Sequence, residues 1–208
     1  MKDLIYVVGD ITFGDLDEGR ASPIDVHEAQ VTKWLLEPAS YLAKMKPTIG
    51  VRYEHGMSLF ALELMFFEPH GQYITGEDSQ GKAGKIFLEG FNRFLEWLKA
   101  TDRVAENIDL NASQFLDWSR NGLFHSGQVK DGLLVDIRNL ENGPFNKNPA
   151  FDGWLVDPWE LLKDIREYFL EYINVLRKPV TPEHRQLFAN FQKTFDRLIV
   201  PPDQSAKK

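Results

Sequence analysis

The residues of this chain best suited to chemistry stand together in the run Asp117-Trp118-Ser119-Arg120-Asn121-Gly122-Leu123-Phe124-His125-Ser126-Gly127. Within it Arg120 supplies a permanent cation, Asn121 an amide and His125 an imidazole. An imidazole, with an unperturbed pKa near ~6.5, can move a proton at neutral pH. A guanidinium can hold the non-bridging oxygens of a phosphorane-like transition state through charge-assisted hydrogen bonds. The combination suits phosphodiester cleavage, with Arg120 and His125 as the catalytic pair and Asn121 and Ser126 as substrate-binding groups. Such an arrangement requires neither a metal nor another cofactor. On an ideal helix five residues turn about 140° beyond a full circle, which would point Arg120 and His125 apart. Convergence needs the helix to end or bend between them, and Gly122 offers the means.

The elements that must position these groups read as mostly helical. Residues 4–8 and 11–13 are β-prone runs around Gly9-Asp10, a pair suited to a tight hairpin turn. Ser22-Pro23-Ile24-Asp25 reads as a helix start, with Val31, Trp34, Leu35, Tyr41, Leu42 and Met45 following at helical spacing. Pro38 predicts a kink there, or two shorter helices. Residues 52–67 are apolar almost all round, the pattern of a helix in the middle of a bundle. Residues 71–84 read as a loop. Phe87, Phe91, Phe94, Leu95 and Leu98 then mark an amphipathic helix. Asn111 can cap a short helix carrying Phe115, Leu116 and Trp118, which Gly122 ends or distorts. A turn at Lys130-Asp131-Gly132 leads to a short strand over 133–137 and an irregular loop over 139–153. Asp157-Pro158 opens the clearest helix, reaching Arg177, and Thr181-Pro182 opens the last. The expected fold is mainly α, an up-down helical bundle with a small β-hairpin decoration. Residues 1–50 form a hairpin and helix packed on the bundle of 51–200, and 201–208 a disordered tail.

Composition bounds what this scaffold can be. The 208 residues hold 24 Lys+Arg against 31 Asp+Glu, a net charge of −7, and are 43% hydrophobic and 26% charged. That balance excludes a disordered or fibrous chain. Cysteine is absent, which excludes a disulfide scaffold, a thiolate metal site and a Cys nucleophile, and fits a reducing compartment. The acidic balance argues against a broad nucleic-acid-coating surface but leaves room for a local basic cleft. The apolar run 57–67 contains Glu63 and falls short of the ~20 residues of a membrane span. The apolar stretch after Met1-Lys2-Asp3 is too short for a signal-peptide core. A soluble, cytoplasmic protein with no membrane partner is expected.

Other motifs stop short of a site. Gly76-Glu77-Asp78-Ser79-Gln80-Gly81-Lys82 follows a phosphate-binding loop as far as the Lys, but Ala83 stands where a hydroxyl is needed and two acids would repel phosphate. His27-Glu28 begins a zinc-protease pattern whose second His is missing. His55 and His70 flank the central helix, where a lone His is usually a cap or faces solvent. Glu63, inside the apolar helix, must find a partner or shift its pKa, and a supporting pair with Arg120 is one solution. Trp118 and Trp154, near the loops, are candidates for stacking on a base, although packing is the simpler role.

The segment Arg120-Asn121…His125 resembles the RNxxxH form of the motif in HEPN domains, a family of helical bundles. The resemblance extends in helix order over residues 52–177, with the motif after the third bundle helix and a long helix following. Arg20…His27 and Arg177…His184 also fit the wider Arg-to-His spacing, but both contain Pro and bridge a helix start. The resemblance implies a metal-independent endoribonuclease, of a kind often found in toxins, defence and RNA-processing systems. It implies an RNA substrate, a homodimer whose motifs face a shared cleft, and an antitoxin or regulatory protein as a further partner. A non-catalytic nucleotide- or protein-binding module is the alternative it allows.

Overall fold

A computed structural model of the chain describes residues 6–45, 51–104, 108–135, 143–147 and 152–199. Strands β1 (Tyr6–Val8) and β2 (Ile11–Thr12) pair antiparallel across Gly9, whose φ of 55° is the left-handed value the turn requires. Phe13 does not extend β2; it begins α1 (Phe13–Asp17), because Thr12 and Asp15 form a reciprocal capping box. The same device at Ser22 and Asp25, with Pro23 in the first helical position, starts α2 (Pro23–Val31) as expected. The helix then widens into a π-helical turn at Thr32–Leu36 and continues as α3 (Glu37–Lys44). That wide turn lies directly ahead of Pro38, which has no N–H for an ordinary α-helical bond.

The centre is a pair of helices, α4 (Val51–Thr75) and α5 (Ala83–Ala100). α4 runs well past Gly71, through residues expected to form a loop. The reason is tertiary. A Cβ on Gly71 would lie 2.0 Å from the Ile86 carbonyl oxygen, and one on Gly90 would lie 2.2 Å from that of Phe67. The two glycines mark where the helix backbones touch, so they belong inside helices. Phe67 of α4 meets Phe87, Phe91 and Phe94 of α5, and Phe91 stacks on Phe115 at 4.3 Å between centroids.

Asp157 caps α8 (Pro158–Arg177), its carboxylate accepting from the Trp159 and Glu160 N–H groups at 2.9 and 3.3 Å. α8 packs on α4 where Phe66 and His70 meet Tyr168, Phe169 and Tyr172. α9 (Pro182–Ile199) closes the end of α4: Thr194 Oγ1 donates to the Gln72 carbonyl at 2.9 Å and Asn190 Nδ2 to that of Ile74 at 2.6 Å.

The expected strand is present as β3 (Leu133–Val135). The region read as an irregular loop over 139–153 holds another, β4 (Phe145–Lys147), and β5 (Trp154–Val156) follows directly after it. Their sheet has the order β3-β5-β4, with β5 parallel to β3 and antiparallel to β4. Strands of three residues are too short to show a period of two. β1 and β2 form a separate sheet. The fold is mainly helical with small sheets, and the proposed tail at 201–208 lies outside the described residues. No helix among the described residues is long and apolar enough to cross a membrane.

Candidate functional site

The Arg120 segment is built from local devices. Asn111 Oδ1 accepts the Gln114 N–H at 3.0 Å and starts α6 (Ala112–Leu116), whose Phe115 is buried in the core. The helix then widens into a π-helical turn at Asp117–Asn121, with the Gly122 N–H donating to the Asp117 carbonyl, and continues as α7 (Gly122–Ser126). Gly122 therefore does not end the helix. The stop is Gly127, whose φ of 72° is left-handed and whose N–H donates to the Leu123 carbonyl at 3.0 Å. The break or bend expected between Arg120 and His125 is not found: the wide turn ends at Asn121, and His125 follows on the regular helix α7.

Gly122 has a different task. A Cβ there would lie 2.6 Å from the Gln128 carbonyl oxygen and 3.1 Å from the Lys130 nitrogen. Its bare backbone lets the chain fold back along the helix. There the Lys130 N–H donates to the Trp118 carbonyl at 2.9 Å, and Lys130 Nζ to Asp117 Oδ1 at 2.6 Å. That hydrogen bond holds the Asp117 carboxyl below its usual range.

Arg120 is half-buried, and its Nη2 donates to Glu68 Oε2 at 2.9 Å; Nη1 lies 3.5 Å from Asn121 Oδ1. The partner is thus Glu68 of α4, not Glu63. Five residues along α4 place these two acids about 140° apart around the helix. Glu68 faces the π-helical turn. Glu63 is 1% exposed, and neither of its oxygens has a hydrogen-bond partner among the described residues. Burial pushes its carboxyl well above the ordinary range, and the Asp157 carboxylate pushes it further.

The sign of that shift sets an expected pH dependence. Folded Glu63 keeps its proton at a pH where the unfolded side chain has lost it, so stability falls as pH rises above the usual carboxylate range. Glu63→Met removes the effect. The variant is expected to gain on the wild type between pH 5 and pH 8 by up to about 1.4 kcal/mol per pH unit. Urea unfolding at the two pH values measures it, and an equal gap at both would contradict a buried neutral acid.

His125 and Ser126 are exposed in the last turn of α7, beside Phe124, which is 54% exposed. Arg120, Asn121 and Glu68 are brought together, and His125 follows at the open end of the same segment. Glu68 and Phe124 escaped the sequence reading. Glu68 ends the apolar run of α4, and no local signal ties it to a residue 52 positions away. Trp154, a stacking candidate, is buried with the Lys147 ammonium 4.5 Å from its ring centroid. Trp118 is half-buried against Gly132, where a Cβ would lie 2.7 Å from the indole. Phe124 is the aromatic left exposed in the motif.

A groove of about 1000 Å³ runs beside the segment, lined by Ser58 and Ala61 of α4, Leu123 of α7, and the return chain through Gly127, Lys130 and Leu134. Arg120 and His125 are not among its lining residues. Lys82 of the loop between α4 and α5 pairs with that loop's own Glu77 at 2.6 Å. Among the described residues no group of three or more His, Asp or Glu side chains is placed to hold a metal ion. No family model matches the chain, and no match was found among curated proteins or solved structures.

Proposed function

We propose that this protein is a HEPN-like, metal-independent endoribonuclease. The carrying observation is that one short helical segment presents Arg120, anchored on Glu68 at 2.9 Å, next to Asn121 and ahead of an exposed His125. Glu68 occupies one corner of the guanidinium fork and fixes its direction, which leaves donors for a phosphate. In the proposed reaction His125 takes the proton of the ribose 2′-OH. The 2′ oxygen bonds to phosphorus, the bond to the 5′ oxygen breaks, and that oxygen leaves with a proton returned from an imidazolium. Arg120 stabilises the charge on the non-bridging oxygens, while Asn121 and Ser126 position the substrate. A homodimer would set two motifs across one cleft, with exposed Phe124 available to the interface or to a base. A cytoplasmic toxin or defence role, with an antitoxin or regulatory partner, belongs to the same proposal.

The test is incubation of the full chain with mixed RNA, with and without EDTA. Cleavage that survives chelation and leaves 2′,3′-cyclic phosphate ends is the expected result. The Glu68 ion pair also favours a second reading, because a guanidinium already neutralised by a carboxylate suits a non-catalytic nucleotide- or protein-binding module. That reading expects a complex by calorimetry or pull-down and no RNA turnover at any pH.

A further inference from the structure

One face of α5 and one face of α8 meet the start of α9 around a pocket of about 290 Å³. Glu96, Trp97 and Ala100 lie three and four residues apart on α5, and Tyr168, Glu171 and Val175 repeat that spacing on α8. Helical neighbours at this spacing share a side, so each helix lends the pocket one continuous strip. The aromatic wall is the half-buried Trp97 indole with Tyr168, 5.7 Å between ring centroids, and Tyr172 beside them. The wall is held from behind. His70 Nε2 lies 2.8 Å from the Tyr168 hydroxyl, and His27 and His70, both buried, pack edge-on against Tyr172.

The polar group that reaches the pocket from solvent is Glu171. It is exposed, and its Oε2 accepts the Trp97 Nε1–H at 2.8 Å. That bond pins a carboxylate to the edge of the aromatic wall but brings it no positive charge. No cation pairs with Glu171 among the described residues. The other charged side chains at the pocket are Arg93 and Glu96, which lie 3.4 Å apart and offset each other. With His184 counted neutral, the lining carries one negative charge in excess. A carboxylate so placed selects a cation, through a charge-assisted hydrogen bond and through the attraction of an indole or phenol face for positive charge. An anion would meet charge of its own sign, and a neutral guest would leave the carboxylate to water.

We propose that this pocket binds a small aromatic ammonium ion, its ammonium on Glu171 and its ring against Trp97 and the two tyrosines. The volume is at the small end of the range for ligand pockets, and aromatic walls gain from a ring in the guest. The site is independent of phosphodiester chemistry at Arg120.

The probe is 2-phenylethylamine, a cation at pH 7, titrated into the full chain by calorimetry with tryptophan fluorescence in parallel. Saturable binding at one site per chain is expected. The neutral analogue 2-phenylethanol and the anion 3-phenylpropanoate should each bind about ten-fold more weakly or worse. Glu171→Gln keeps an acceptor for the indole and removes the charge; it should weaken the amine about five-fold or more and leave the alcohol unchanged. Val175→Phe, at a half-buried wall position, fills the space and should weaken the amine about ten-fold or more. Glu171 is exposed, so the Gln variant keeps the fold and decides the matter if Val175→Phe does not. No saturable binding to the wild type, equal binding of the alcohol or the anion, or unchanged amine binding in Glu171→Gln would each overturn the proposal. So would butylamine binding as tightly as 2-phenylethylamine, which would assign the pocket to a lysine side chain of a partner protein.

Discussion

Arg120→Ala and His125→Ala are each expected to lower RNA cleavage by roughly 10²–10⁴-fold. The two variants remove different parts of the proposed chemistry, the clamp on the phosphate and the group that moves the proton. His125 is exposed in the last turn of α7, so its removal should change stability by no more than about 0.5 kcal/mol. Loss of turnover with an unchanged unfolding curve would therefore report on chemistry. Arg120→Lys keeps the charge but loses the planar fork shared between Glu68 and a phosphate, and should recover little of the activity. Glu68→Gln leaves Arg120 charged and weakens only its anchor. Its expected loss is smaller, about ten-fold, and should fall mainly on kcat as the guanidinium loses its direction. Full activity in both alanine variants, with the fold intact, would remove the basis of the endoribonuclease reading.

Gly90→Ala carries the second large effect, on stability. Alanine is the better helix former by about 1 kcal/mol, so propensity alone expects a gain. The crossing of α4 and α5 decides otherwise, because the new Cβ would lie 2.2 Å from the Phe67 carbonyl oxygen and 3.1 Å from the Gly71 nitrogen. Backbone on the facing helix cannot rotate away as a flexible side chain can. The helices must separate, and a loss of roughly 2–4 kcal/mol is expected as the Phe67, Phe87 and Phe91 packing opens. Gly84→Ala in the same helix is the control. Its Cβ would meet only Leu116 Cδ2 at an ordinary 3.5 Å, so there the propensity gain should survive, up to about 1 kcal/mol. Urea unfolding of the two variants compares them directly, and a Gly90→Ala protein as stable as wild type would mean that α4 and α5 do not cross so closely.

The acidic balance bears on the RNA reading. A chain of net charge −7 is a poor nucleic-acid coat. A paired Arg120 at a local site makes few phosphate contacts, so a shallow salt dependence of RNA binding is the corresponding expectation.

What the sequence determined by itself lies within a few residues of chain. Ser22 with Asp25, Asn111 with Gln114, and Asp157 with Trp159 and Glu160 are capping contacts two or three positions apart, and they set where α2, α6 and α8 begin. The apolar stripes of α5 and α8 follow from a period of 3.6 residues and could be read the same way. So could the company of Arg120, Asn121 and His125, which are neighbours in the chain. The tertiary structure alone decided that Gly71 lies in a helix, that β5 completes a sheet with β3, and that His27 and His70 face a shared interior. It also decided that Arg120 pairs with Glu68 while Glu63 stays buried with no hydrogen-bond partner among the described residues. Each of these depends on which backbone or side chain arrives from a distant part of the chain. A caps-and-periodicity reading ends at about one helical turn, whereas the Arg120 guanidinium is held by an acid 52 residues away.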